Sequence, residues 1–162
     1  DADALNALSH DRDEARELLS HAKRKVILPP HPLEFARLFG KSVEEIQLHR
    51  MEEALTFAEE MGVTLVLKGA GTIVTDGETC YLNATGSSAL AKAGSGDVLA
   101  GFLAALAAGG MNPTDAAALA VYYHGLAADT LASEFSTFGV TPSDLPKQIA
   151  REISATQNEI CK

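Results

Sequence analysis

Gly94-Ser95-Gly96-Asp97-Val98-Leu99-Ala100-Gly101 sets glycines and one carboxylate where an apolar helix begins. The first backbone N–H groups of a helix have no partner inside it and carry partial positive charge. Glycines let a phosphate or developing oxyanion approach those groups, which makes Gly94, Ser95 and Gly96 a candidate anion hole. Asp97 stands beside it as a carboxylate able to take a proton, and the pair points to phosphoryl-group chemistry. Spacing removes two better-known glycine motifs. G-x-G-x-x-G counted from Gly94 meets Leu99 at its third glycine, and a P-loop counted from Gly96 reaches Gly101 but then meets Phe102 and Leu103. Read alone, the segment is equally a plain helix start with glycines in a tight turn.

Lys68-Gly69-Ala70-Gly71-Thr72 follows the most strand-like run of the chain, and ligands of open α/β sheets bind beyond the carboxyl ends of strands. Lysine meets phosphate as a point charge, the two glycines give access to backbone, and Thr72 adds a hydroxyl. The alternative is a glycine turn entering a hairpin. His31 follows a Pro-Pro pair, with Glu34 three residues on; it either caps a helix or hydrogen-bonds a substrate. His10, His21 and His49 lie in polar helical segments and read as solvated, whereas His124 follows two tyrosines in an alanine-rich helix and reads as core. No two of them have metal-ligand spacing. Asn83 and Gly86-Ser87-Ser88 precede the main motif and are placed to line the same cleft.

The elements that must position these groups alternate. Asp11 to Glu14 reads as a capping box opening a helix through about Arg24, with Lys23, Arg24 and Lys25 at its end. Val26-Ile27-Leu28 is a short buried strand stopped by Pro29-Pro30, and Pro32 suits the first turn of a short helix. Ser42 to Glu45 is a second capping box, and its helix carries Val43, Ile46, Ala54, Leu55, Ala58 and Met61 to a stop at Gly62. Val63 to Leu67 is the clearest strand, and Thr72–Thr75 pairs with Thr79–Leu82 around Asp76-Gly77. Helices follow from Gly94 to Gly109, over roughly 113–132, and from near Ser143, the last with Leu145, Ile149 and Ile153. The pattern is α/β, in one domain over residues 1–162.

The formal net charge of −9 repels polyanions and argues against a nucleic-acid partner. Any phosphate must be held by local N–H groups and a few cations. Cys80 and Cys161 are too few for a disulfide framework or zinc site, and fit a reducing cytoplasmic compartment. The most apolar segment, Val98 to Ala108, is too short to span a membrane. Asp1-Ala2-Asp3-Ala4-Leu5-Asn6 is neither a signal nor a transit peptide, and without an initiator methionine the chain reads as a piece of something longer. The alanine-rich helices suit packing against the sheet or against a second copy, as in a homo-oligomer.

Taken in order, Asp1 to Asn6, Pro29-Pro30-His31-Pro32-Leu33-Glu34, Lys68 to Thr72, Asn83 with Gly86, and Gly94 to Gly101 resemble the ADP/ATP-dependent NAD(P)H-hydrate dehydratases. These belong to the ribokinase-like superfamily. The resemblance implies a ribokinase-like three-layer α/β/α fold, here a partial domain lacking the N-terminal strands, whose missing portion is a partner for the site. It implies that ADP or ATP, with Mg2+, phosphorylates the ring hydroxyl of hydrated NADH or NADPH, and that loss of phosphate restores the double bond. Asp97 would be the catalytic base and touch the substrate with His31. Lys68, Gly69, Ala70, Gly71, Thr72 and Gly96 would bind the nucleotide, and Gly94, Ser95 and Gly96 the transferring phosphoryl group. Pro29 and Leu33 depart from the family's Thr and Gly, and Ser87 from its Asn. A ribokinase-like kinase of a thiazole alcohol would use Asp97 in the same way, and a non-catalytic nucleotide-binding module is the third reading.

Overall fold

Thr64-Leu65-Val66-Leu67 is the axis of the fold: all four residues are buried, and successive side chains face opposite layers. In the computed structural model, which describes residues 2–22 and 25–160, this strand is β2 (Thr64–Leu67). It pairs parallel with β1 (Ile27–Leu28) and antiparallel with β3 (Ile73–Thr75), and β4 (Cys80–Leu82) closes the order β1-β2-β3-β4. The hairpin expected around Asp76-Gly77 is present, with Val74 opposite Tyr81.

Leu65, Leu67 and Ile73 pack on the first helical layer, made of α1 (Ala2–Leu8), α2 (Arg12–Ser20), α3 (Pro32–Phe39), α4 (Val43–Leu48) and α5 (Arg50–Met61). Phe35, Phe39 and Phe57 form its centre, with ring centroids 5.2 to 5.6 Å apart. Val66 and Val74 face the other way, onto Leu99 and Leu103 of α6 (Ser95–Ala108) and Ala117, Ala120 and Val121 of α7 (Pro113–Gly139). Alanines there let α7 lie close to the sheet. A third cluster joins Ala127, Ala128 and Leu131 to Leu145 and Ile149 of α8 (Leu145–Ile160). The three layers are those expected of the α/β pattern. Among the described residues no helix is long and apolar enough to cross a membrane.

Local signals held where the partners are local. Ser42 and Glu45 form the reciprocal box, at 3.2 and 2.8 Å. Asp11 instead caps one way, accepting from Asp13 and Glu14, and α2 ends at Ser20. The expected continuation through Lys23 and Arg24 lies outside the described residues. The helix from Ser42 does not run unbroken to Gly62. His49, at φ −129° and ψ 34°, divides it into α4 and α5. At the other end of the chain α7 outruns its expected stop near 132, because no proline or glycine intervenes before Gly139; it continues across a kink at Ser136.

Asp76 ties the hairpin to α7. Its Oδ1 accepts the N–H groups of Thr79 and Glu78 at 2.9 and 3.2 Å, and its Oδ2 accepts the Thr114 hydroxyl at 2.9 Å. Since Thr114 gives its proton to Asp76, the buried Thr64 hydroxyl, 3.1 Å away, donates to Thr114. Desolvation pushes the Asp76 carboxyl up, but Thr79, Thr114, Glu78 and Lys25 outweigh it and bring it down to about 2. A carboxyl lowered from 3.8 in the folded state contributes stability above that value and loses it as pH falls toward 2. Asp76→Asn is therefore expected to lower the thermal midpoint at neutral pH, and the gap to wild type to close below pH 3.8 in an acid melting series.

Candidate active site

Gly94 begins α6 in the left-handed region, at φ 96°, with no side chain capping the turn. The Ser95 N–H donates to the Lys92 carbonyl at 3.2 Å. Among the described residues the N–H groups of Gly94, Gly96 and Asp97 have no such backbone partner. The Ser95 side chain is buried, while Asp97 is exposed on the first turn.

Lys68 emerges at the end of β2, with its N–H on the Pro30 carbonyl at 3.0 Å. Its Nζ lies 3.7 Å from where a Cβ on Gly96 would stand, so the ammonium hangs over the α6 N-terminus. The same Nζ is 3.9 Å from Oε2 of Glu34, which is only 6% exposed. Glu34 accepts the His31 N–H at 2.7 Å, and His31 Nδ1 accepts the Glu34 N–H at 3.1 Å. His31 thus does cap α3, and this use of Nδ1 puts the proton of the neutral ring on Nε2. Glu34, whose role the sequence reading did not single out, links His31 to Lys68, and Lys68 in turn reaches Gly96.

Arg50 was also missed. Its Nη1 donates to the Ala70 carbonyl at 2.7 Å, and its Nη2 to those of Leu67 and Lys68, both at 3.4 Å. Burial pulls its guanidinium pKa down. Those three carbonyls define the loop Lys68 to Thr72, which Thr72 closes by donating its hydroxyl to Gly69 at 3.0 Å. A Cβ on Gly69, at φ 141°, would press on Arg50 Nη2 at 3.0 Å. The break at His49 is what starts α5 with Arg50 beneath this loop.

The segment leading to α6 rests on α7. The Thr85 hydroxyl donates to the Tyr122 carbonyl at 2.8 Å, and the Gly86 N–H to Asp129 Oδ2 at 2.7 Å. Gly125 lies between them, and a Cβ there would stand 2.2 Å from Thr85 Oγ1 and 2.7 Å from its carbonyl carbon. Gly125→Ala is expected to destabilise the fold by about 1–3 kcal/mol in urea unfolding, against the small gain alanine usually brings to a helix. His124 is buried as expected, and His10, His21 and His49 are exposed.

A model of the NAD(P)H-hydrate dehydratase family matches residues 1–151. The chain belongs to this family. It is 40% identical along its full length to the ADP-dependent (S)-NAD(P)H-hydrate dehydratase of Neisseria meningitidis serogroup B, covering 53% of that protein. The crystal structure of the ADP/ATP-dependent NAD(P)H-hydrate dehydratase from Bacillus subtilis, co-crystallised with ATP/Mg2+, superposes with a TM-score of 0.75. There the identity is 38%, over 78% of this chain and 46% of that one. A ribokinase-like superfamily protein from Enterococcus faecalis, 26% identical, matches 96% of this chain and 59% of its own with a TM-score of 0.70. The ribokinase-like fold class is thus shown. The chain spans about half the length of the family dehydratases it matches.

Proposed function

We propose that this chain carries the nucleotide and phosphoryl-transfer half of an ADP- or ATP-dependent NAD(P)H-hydrate dehydratase. The observation that carries the reading is the Lys68 ammonium over Gly96, at a helix N-terminus with free N–H groups and Asp97 in its first turn. A terminal phosphoryl group seated there meets a cation and two backbone donors, the usual apparatus for spreading transition-state charge. Asp97 takes the proton of the ring hydroxyl as its oxygen bonds to phosphorus and the nucleotide leaves one phosphate shorter. Hydroxide is a poor leaving group and phosphate a good one. The ring nitrogen then pushes its electron pair as the C–O bond breaks, and loss of a ring proton restores the double bond. The loop Lys68 to Thr72, stapled by Arg50, holds the nucleotide, and His31 offers its Nε2–H to the hydrated dinucleotide.

Among the described residues no three His, Cys, Asp or Glu side chains stand together as a metal cage. Mg2+ fits this site as an ion carried by phosphate oxygens and water, where it would neutralise phosphate charge. The remainder of a family-length domain is the proposed partner that completes the dinucleotide side, and the cytoplasm is the proposed compartment. A homo-oligomer is proposed for the completed enzyme.

The test mixes this chain with the N-terminal portion of the Neisseria relative, hydrated NADH, Mg2+ and ADP or ATP. Recovery of reduced-nicotinamide absorbance is the expected result. No recovery, with stable phosphorylation of a thiazole alcohol instead, would move the chain to the kinases.

A further inference from the structure

Arg50 gives its charge to carbonyls alone. Among the described residues no carboxylate pairs with it, and its buried Nε has no acceptor. A guanidinium drawn partly out of water without an anion is costly, and its retention there calls for an explanation. Its Nη1 donates to the Ala70 carbonyl at 2.7 Å and its Nη2 to the Lys68 carbonyl at 3.4 Å. Each carbonyl shares a planar trans peptide group with the N–H of the next residue, which points the opposite way. The far ends of the two gripped groups are therefore the N–H of Gly69 and the N–H of Gly71. Neither has an acceptor among the described residues, and both glycines are exposed. Their positive φ values, 141° and 64°, belong to the kind of backbone that gathers N–H groups into an anion-binding concavity.

Resting on the phosphoryl-transfer reading above, we propose that Arg50 is a positioning residue that sets the loop Lys68 to Thr72 as an anion nest, aiming the Gly69 and Gly71 N–H groups at a phosphate that stays with the leaving nucleotide. One guanidinium holds both carbonyls, so both N–H groups leave the loop on the side away from α5. The helix α5 packs in the first layer and α6 in the opposite one. Lys68 links the nest to the terminal phosphoryl site, since its carbonyl is held by Arg50 and its ammonium hangs over Gly96. A charged donor on a carbonyl also polarises the N–H at the far end, which strengthens its bond to an anion. Gly69 lets the guanidinium lie this close, because a Cβ there would stand 3.0 Å from Nη2. Arg50 touches no phosphate; it acts from behind the loop.

The test measures binding of adenosine, AMP and ATP with Mg2+ to the full chain and to Arg50→Met and Arg50→Lys. Methionine keeps much of the length without donors, and lysine keeps the charge without the fork that reaches separate carbonyls. The expected result is that Arg50→Met loses about tenfold of the preference for AMP over adenosine, the scale of one charge-assisted hydrogen bond. Adenosine affinity should stay within about twofold, and Arg50→Lys should recover less than half of the loss on a logarithmic scale. A purely structural Arg50 would lower the thermal midpoint of both variants and leave the preference intact, which overturns the proposal. Full recovery by lysine also overturns it, since charge alone would then suffice. Should Arg50→Met not fold, the amide proton resonances of Gly69 and Gly71 in wild type decide it. They should shift on adding AMP and not adenosine, and an equal response to both overturns the proposal. If wild type binds neither AMP nor ATP, the phosphoryl-transfer reading itself fails.

Discussion

Asp97→Asn is expected to lower turnover by about 10²–10⁴-fold while leaving ATP affinity within about twofold. The position separates catalysis from folding. Asp97 is exposed on the first turn of α6, and its side chain makes no hydrogen bond among the described residues. Its only structural contribution is a carboxylate near the positive end of the helix, about 0.3–1 kcal/mol. Asparagine keeps the shape and removes the ability to take a proton. It also removes a negative charge beside the phosphates, so nucleotide binding should hold or tighten slightly. The readout pairs initial rates of reduced-nicotinamide recovery in the complemented enzyme with calorimetric ATP binding to this chain. Survival of turnover would move the base to another residue. Loss of ATP binding would make Asp97 a structural element of the turn.

Legibility in the sequence followed the range of the interactions. The box of Ser42 and Glu45, the Asp76-Gly77 turn and the Pro32 helix start are made within a few residues, and each was readable. The α6 N-terminus was readable for the same reason, since glycine, acid and apolar run are consecutive. Arg50 was not. It looks like any helix residue between His49 and Met51, and only the fold brings three loop carbonyls to it. Glu34 was visible as a capping partner of His31, but its second charge partner, Lys68, is supplied by β2. Gly125 did leave a local trace: a glycine inside an alanine-rich helix costs about 1 kcal/mol against alanine, which asks for a packing reason. The break at His49 left none, because the apolar spacing continues on both sides of it.

Lys68→Met is expected to weaken ATP binding by more than loss of one cation would, and Glu34 is the reason. A hydrogen bond or close contact to a charged group is typically worth about 1.5–3 kcal/mol, or roughly 10- to 150-fold in affinity. Lys68 also screens a buried carboxylate 3.9 Å from its Nζ. Methionine fills much the same volume, but it leaves Glu34 facing the phosphates with nothing between. Glu34→Gln removes that charge and can still accept the His31 N–H through its amide oxygen, so α3 keeps its cap. The double variant should therefore bind ATP better than Lys68→Met alone, with a coupling of about 0.5–3 kcal/mol in the thermodynamic cycle. AMP, which carries fewer phosphates toward the α6 N-terminus, should show a smaller coupling. Strict additivity in the cycle would mean that the phosphates do not pass between Lys68 and Gly96.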